Sequence, residues 1–174
     1  MRAILIDWLV EVHMKFRLVP ETLYLCVNII DRYCSVQEVR RSQLQLVGTS
    51  ALRLACKYEE MYTPEVSQCV YITDNTYTNE ELLDMEQDIV EKLQCCFTVP
   101  TAYPFLQIFF ILVGASDLVQ HAASYYNERT LQEHEMLQYR PSEVCAASVV
   151  LALNHPKIAE EDERVGPDGF LHPF

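Results

Sequence analysis

Residues 44–60 read LQLVGTSALRLACKYEE. Leu44, Val47, Ala51, Leu54 and Tyr58 recur at the 3.6-residue period and share one face of a helix. Gly48, Ser50 and Ala55 keep another face thin, so a neighbouring backbone can come close. A helix that is apolar on one side and thin on another belongs between other helices, and this one is expected at the centre of an all-helical bundle. Ser42 is placed to cap its start, and Pro64 lies beyond its end as a stop.

Working outward, Ile4, Leu5, Trp8, Val12 and Phe16 follow a helical period, and Ile6, Leu9 and Val10 widen that stripe until the first helix is apolar on most sides. Pro20 opens a second helix, with Glu21 favourable at its N-terminus and a buried stripe of Leu23, Val27, Ile30 and Cys34. A short helix is expected from Pro64. Residues 70–78 are rich in β-branched and aromatic side chains but carry the turn signal Asp74-Asn75 and have no second strand to pair with, so they read as a loop. Thr78 and Glu81 form a capping box before a fifth helix, whose buried stripe is Leu82, Met85, Ile89 and Leu93. Three more helices follow, over 103–113, around 118–134 and over 141–154. The thin run at 145–149 resembles the one at 50–51, a faint repeat. Residues 155–174 turn acidic and then Gly/Pro-rich, with no apolar stripe, and are expected to be disordered. The division expected is therefore 1–97, 98–154 and 155–174.

Composition excludes several function classes. The seven cysteines are odd in number and scattered, without zinc-knuckle spacing, which implies reduced thiols in the nucleus and cytoplasm and no metal. The apolar runs at 108–113 and 144–153 fall far short of the ~20 residues that span a bilayer, so no membrane partner is expected. No basic leader precedes the first helix, and the start reads like the inside of a domain. The net charge of −12 is uneven: residues 1–57 hold eight Lys/Arg and five Asp/Glu, residues 58–174 five against twenty. Nucleic acid is a poor partner for such a chain. The five histidines lack metal-ligand register, and neither His134-Glu135 nor the Ser142, Glu143, Cys145 group forms a catalytic constellation.

The runs MRAILIDWLVEV (1–12), LQLVG (44–48), KYEEMY (57–62), YITDNTYT (71–78) and ME (85–86) resemble, in order and at its spacing, the box of the cyclin family. MKFR at 14–17 and TDNTY at 73–77 resemble mitotic B-type members more than A-type ones. The resemblance implies a five-helix cyclin fold followed by an incomplete second cyclin-like repeat. It implies a regulatory subunit that binds and activates a cyclin-dependent serine/threonine protein kinase in mitosis, is not an enzyme, and needs no cofactor. It also implies a chain cut short at both ends, lacking the helix that precedes the box and leaving the second repeat's centre uncovered.

By resemblance, Lys57 and Glu86 reach the kinase's regulatory helix and adjoining loop, with Leu54, Tyr58, Val90 and Phe97 as the apolar bed. The residues make both polar members noticeable by themselves. Glu86 lies on the stripe between Leu83 and Val90, where a carboxylate needs a partner. Lys57 can lay its stem beside Leu54 and present its ammonium at a helix C-terminus. A second site, a groove for Arg-x-Leu peptides of substrates or inhibitors, is implied at Met1, Ile4, Leu5, Trp8 and Glu11, with Arg41, Leu44 and Gln45. Arg2 and Asp31 are implied as a structural ion pair. The rival readings are a transcription-type adaptor on the same helical fold, against which the acidic surplus and the Lys57/Glu86 pair argue, and an all-helical enzyme, for which no polar constellation is present.

Overall fold

The computed structural model describes residues 1–156 and residue 158. Eight α-helices and no strand occur among them, in two compact units, one covering Met1–Thr101 and one beginning at Ala102. The expected disorder of 155–174 falls almost wholly outside the described residues.

In the first unit, α1 (Arg2–Phe16), α2 (Pro20–Val36), α3 (Leu44–Glu59), α4 (Val66–Ile72) and α5 (Asn79–Lys92) form one bundle. The thin-faced helix α3 is its centre: α1, α2 and α5 all pack on it, and the run from Leu46 to Leu52 is buried on every side. Gly48 explains the close packing of α1, because a Cβ there would lie 2.8 Å from Leu5 Cδ1. Leu9, Ile29, Val47 and Ile89 are fully buried in the shared core, each contributing about 1.5–3 kcal/mol by leaving water. Glu60, just past α3, accepts hydrogen bonds from Val19 N and Thr22 Oγ1, both at 2.7 Å. Its carboxylate thereby satisfies donors at the start of α2.

Several details differ from the sequence reading. Ser42 does not cap α3: a 3-10 turn over Arg41–Gln43 leads into it, and the Ser42 carbonyl accepts from Tyr77 Oη at 2.9 Å. The short helix starts at Val66, not Pro64, and continues through Val70, Tyr71 and Ile72, which were expected in a loop. Local capping outweighs β-propensity there, since the Gln68 side chain returns to accept from Glu65 N at 2.9 Å. The turn signal itself holds, with Asp74 and Asn75 both at positive φ. The buried stripe of α1 is Leu5, Ile6, Leu9 and Val12, turned by one residue so that Ile4 faces out. Cys34, expected on the buried stripe of α2, is exposed.

In the second unit α8 (Pro141–Leu153) packs against both α6 (Ala102–Val113) and α7 (Asp117–Thr130). Leu106, Phe110, Val119, Ala123, Cys145 and Val149 make its core. Ile111, Leu112, Val150 and Leu151 lie exposed on the opposite faces of α6 and α8. A 3-10 turn over His134–Gln138 follows α7, which ends at Thr130 and not near His134.

Burial dominates the titration of Cys26, Cys56 and Cys69, the buried thiols of the first unit. It pushes Cys56 up to about 12, with Glu60 and Cys69 adding to it, and Cys69 up to about 11, while Cys26 is raised well above the usual thiol range by burial and then by Cys56 and Asp31. Tyr33 is raised by burial and by its bond to Asp88. Unfolded thiols ionise near ~8.5. A raised folded pKa favours the protonated, folded form, so this stability is full below that pH and is lost as pH climbs toward the folded values. The urea midpoint is therefore expected to fall progressively above about pH 8.5, and Cys56→Ala to flatten that limb. A midpoint level to pH 11 would contradict this.

Candidate functional site

Two helices build a polar cluster around a buried carboxylate in the first unit. Arg53 and Lys57 lie one turn apart on α3 and face α5, where Glu86 is 4% exposed. Arg53 Nη1 donates to Glu86 Oε1 at 2.6 Å and Lys57 Nζ donates to Glu86 Oε2 at 2.6 Å. Arg53 Nε also donates to the Pro64 carbonyl at 3.1 Å. The two cations differ in access to water: the Arg53 side chain is 14% exposed and that of Lys57 45%.

This asymmetry determines what the cluster can do. A buried carboxylate with no cation would be costly, and Glu86 has two. Arg53 is held by the fold, whereas half of the Lys57 side chain reaches solvent with further N–H donors to offer. Lys57 can therefore turn toward an incoming group while Arg53 keeps Glu86 paired. Sequence reading missed Arg53; the available signal was a cation in the middle of an otherwise buried helix, one turn before Lys57.

Around this cluster Leu54 is buried, and Val90 and Phe97 are partly buried against the core. Tyr58, expected in the apolar bed, is half exposed, and its Oη lies 2.6 Å from Thr98 Oγ1. Met61 and Tyr62, in the bend after α3, are 89% and 85% exposed. Both are large apolar side chains within five residues of Lys57 in the sequence.

The residues expected in the α1 groove divide into three groups by burial. Met1, Ile4, Glu11 and Arg41 are exposed, and Trp8, Leu44 and Gln45 are half-buried. Leu5 is instead part of the core, seated over Gly48. Leu44 and Gln45 stand one turn before Gly48 on α3, so the Leu5–Gly48 contact sets the start of α3 beside α1. Arg2 Nε and Nη2 donate to Asp31 Oδ1 and Oδ2 at 2.6 and 2.8 Å, tying α1 to α2 with both side chains mostly buried. The two hydrogen bonds are bidentate, the geometry in which a guanidinium pairs most strongly with a carboxylate.

Among the described residues no helix is long and apolar enough to cross a membrane, and no group of three or more His, Cys, Asp or Glu is placed to hold a metal ion.

Comparison with known proteins adds the following. Residues 1–98 match the family profile described as cyclin, N-terminal domain, and residues 100–162 the one described as cyclin, C-terminal domain. Cyclin-B1-3 of Arabidopsis thaliana is 49% identical over 152 residues, covering 87% of this chain and 37% of that protein. The G2/mitotic-specific cyclin-B2 of Bos taurus is 49% identical over 153 residues, covering 87% of this chain and 38% of that protein. This chain thus spans less than two-fifths of the length of these curated relatives. Among solved structures, a viral cyclin from herpesvirus saimiri superposes with a TM-score of 0.79 at 25% identity, covering 88% of this chain and 69% of that one. A chain of the yeast RNA Pol II CTD kinase CTDK-1 complex superposes at 0.76 and 14% identity, covering 87% and 54%, a likeness of fold alone.

Proposed function

Because the chain belongs to the cyclin family, with B-type relatives at close to half identity, we propose that it is a regulatory subunit that binds and activates a cyclin-dependent protein kinase in the mitotic cell cycle, acting in nucleus and cytoplasm and supplying binding energy rather than catalysis. One observation carries the reading: Lys57 is half exposed beside an apolar surface, yet tied to a buried carboxylate that a second cation also holds. The kinase's regulatory helix would lie on Tyr58, Val90 and Phe97, which the buried Leu54 backs from the core, with Lys57 donating to its backbone or side-chain oxygens. Docking would move that helix inward, complete the kinase's Lys–Glu ion pair and reposition its activation loop. The surface shifts this equilibrium only by binding the active arrangement more tightly than the inactive one.

The α1 face is the second part of the proposal. Met1, Ile4 and Trp8 offer apolar surface, and Glu11 an exposed carboxylate, to the Leu and the Arg of Arg-x-Leu segments in substrates or inhibitors.

Hydrogen exchange on this chain tests both surfaces. A purified cyclin-dependent kinase catalytic subunit is expected to slow exchange across residues 53–62 and 83–98. An Arg-x-Leu peptide is expected to slow it across 1–11 and 41–48. Kinase-induced protection confined to residues 1–11 would reject the Lys57 surface, and a peptide that protects nothing there would reject the groove.

A further inference from the structure

The run MKFR at 14–17 has no part in either surface above, yet it ends α1 beside a notch against α4. Phe16, Tyr71 and Ile72 give the notch apolar walls, and Lys15, Ser67 and Gln68 complete its lining. Its volume is about 290 Å³, at the lower end of ligand pockets and suited to one bulky side chain.

The charge of the notch comes from Lys15. Its Nζ lies 5.7 Å from the centre of the Tyr71 ring, and none of the ion pairs among the described residues includes it. The ring holds the cation in place without neutralising it. The other polar groups are already engaged: Ser67 Oγ donates to Glu65 Oε2 at 3.3 Å, Gln68 Oε1 accepts from Glu65 N, and His13 Nε2 bonds the Val19 carbonyl. Arg17, two residues beyond Lys15, is exposed. Met14 and Tyr71 are 71% and 69% exposed, which leaves apolar surface at the rim as well. In a chain of net charge −12, the notch carries Lys15 on its lining and Arg17 close by in sequence, with the Glu65 carboxylate, held by Ser67, the acidic group at its α4 end.

We propose that the α1–α4 notch docks a short acidic peptide segment of a partner protein, seating one bulky apolar side chain between Phe16, Tyr71 and Ile72 and setting a neighbouring carboxylate against Lys15. Charge complementarity selects this occupant. The ammonium at the lip, outside the ion pairs above, favours a carboxylate and repels a basic segment. The proposal stands independently of the kinase reading, since it uses neither Lys57 nor the α1 residues of the Arg-x-Leu groove.

The test uses the full chain and a fluorescein-labelled peptide carrying one Phe between two Glu, followed by fluorescence anisotropy. Saturable binding is expected, weakening about tenfold in Lys15→Glu and in Tyr71→Ala. It is expected to weaken with added salt and to be unchanged in Trp8→Ala. The same peptide with Lys in place of Glu is expected not to bind. Both altered side chains are exposed, and thermal melts of the variants check that the fold is kept. Absence of saturable binding, equal binding of the Lys peptide, or affinity unchanged in both notch variants would overturn the proposal. So would sedimentation of the chain alone as a dimer that Tyr71→Ala dissociates, because the occupant would then be a second copy.

Discussion

Glu86→Ala is expected to lower the folding stability of the first unit by about 3 kcal/mol, a large share of the margin of a small domain. Both carboxylate oxygens are in use, and the group is 4% exposed, so its removal leaves Arg53 with a single partner, the Pro64 carbonyl, in a mostly dry setting. Lys57 contributes little to the loss because it can return to water. Glu86→Gln keeps the volume and one acceptor, and is expected to cost about 1–2 kcal/mol. Urea titration of the three proteins measures both values, and equal midpoints for native and Glu86→Ala would show that the pair contributes nothing to the fold.

What could be read in the sequence, and what could not, follows from the range of the interactions. The central position of α3 was legible because the evidence is local: small residues at helical spacing imply that a neighbour comes close, and Gly48 beneath Leu5 is that neighbour's contact. The capping box of Thr78 and Glu81 was legible for the same reason, as both of its bonds lie within four residues. The rotation of α1 was not legible, because Ile4 and Leu5 are equally apolar and only packing against α3 decides which is buried. Residues 70–72 misled the reading through their β-propensity, which the cap formed by Gln68 overrode. Arg53 escaped notice because its partner sits on another helix, and the register between α3 and α5 is set by the core, not by either sequence alone. The comparisons establish the family, and the cluster's geometry is observed; its role toward a kinase is what the proposal adds.

The same geometry separates folding from binding at Lys57. In the free chain its side chain is nearly half exposed, and Glu86 keeps Arg53 when it is removed, so Lys57→Ala is expected to change stability by less than about 1 kcal/mol. In the complex the kinase helix would cover the ammonium and desolvate its contacts. Truncation then leaves the kinase's acceptors buried and unpaired, a loss of about 3 kcal/mol or roughly a hundredfold in affinity. Glu86→Ala, by contrast, is expected to weaken folding first and binding through it.

The central claim is tested most directly by titrating a purified cyclin-dependent kinase catalytic subunit with the native chain and with Lys57→Ala, alongside urea midpoints for both. An affinity about a hundredfold lower for the variant, with its midpoint essentially unmoved, is the predicted result. Equal affinities would contradict the account, and the kinase-docking role of the Arg53, Lys57 and Glu86 cluster would have to be given up.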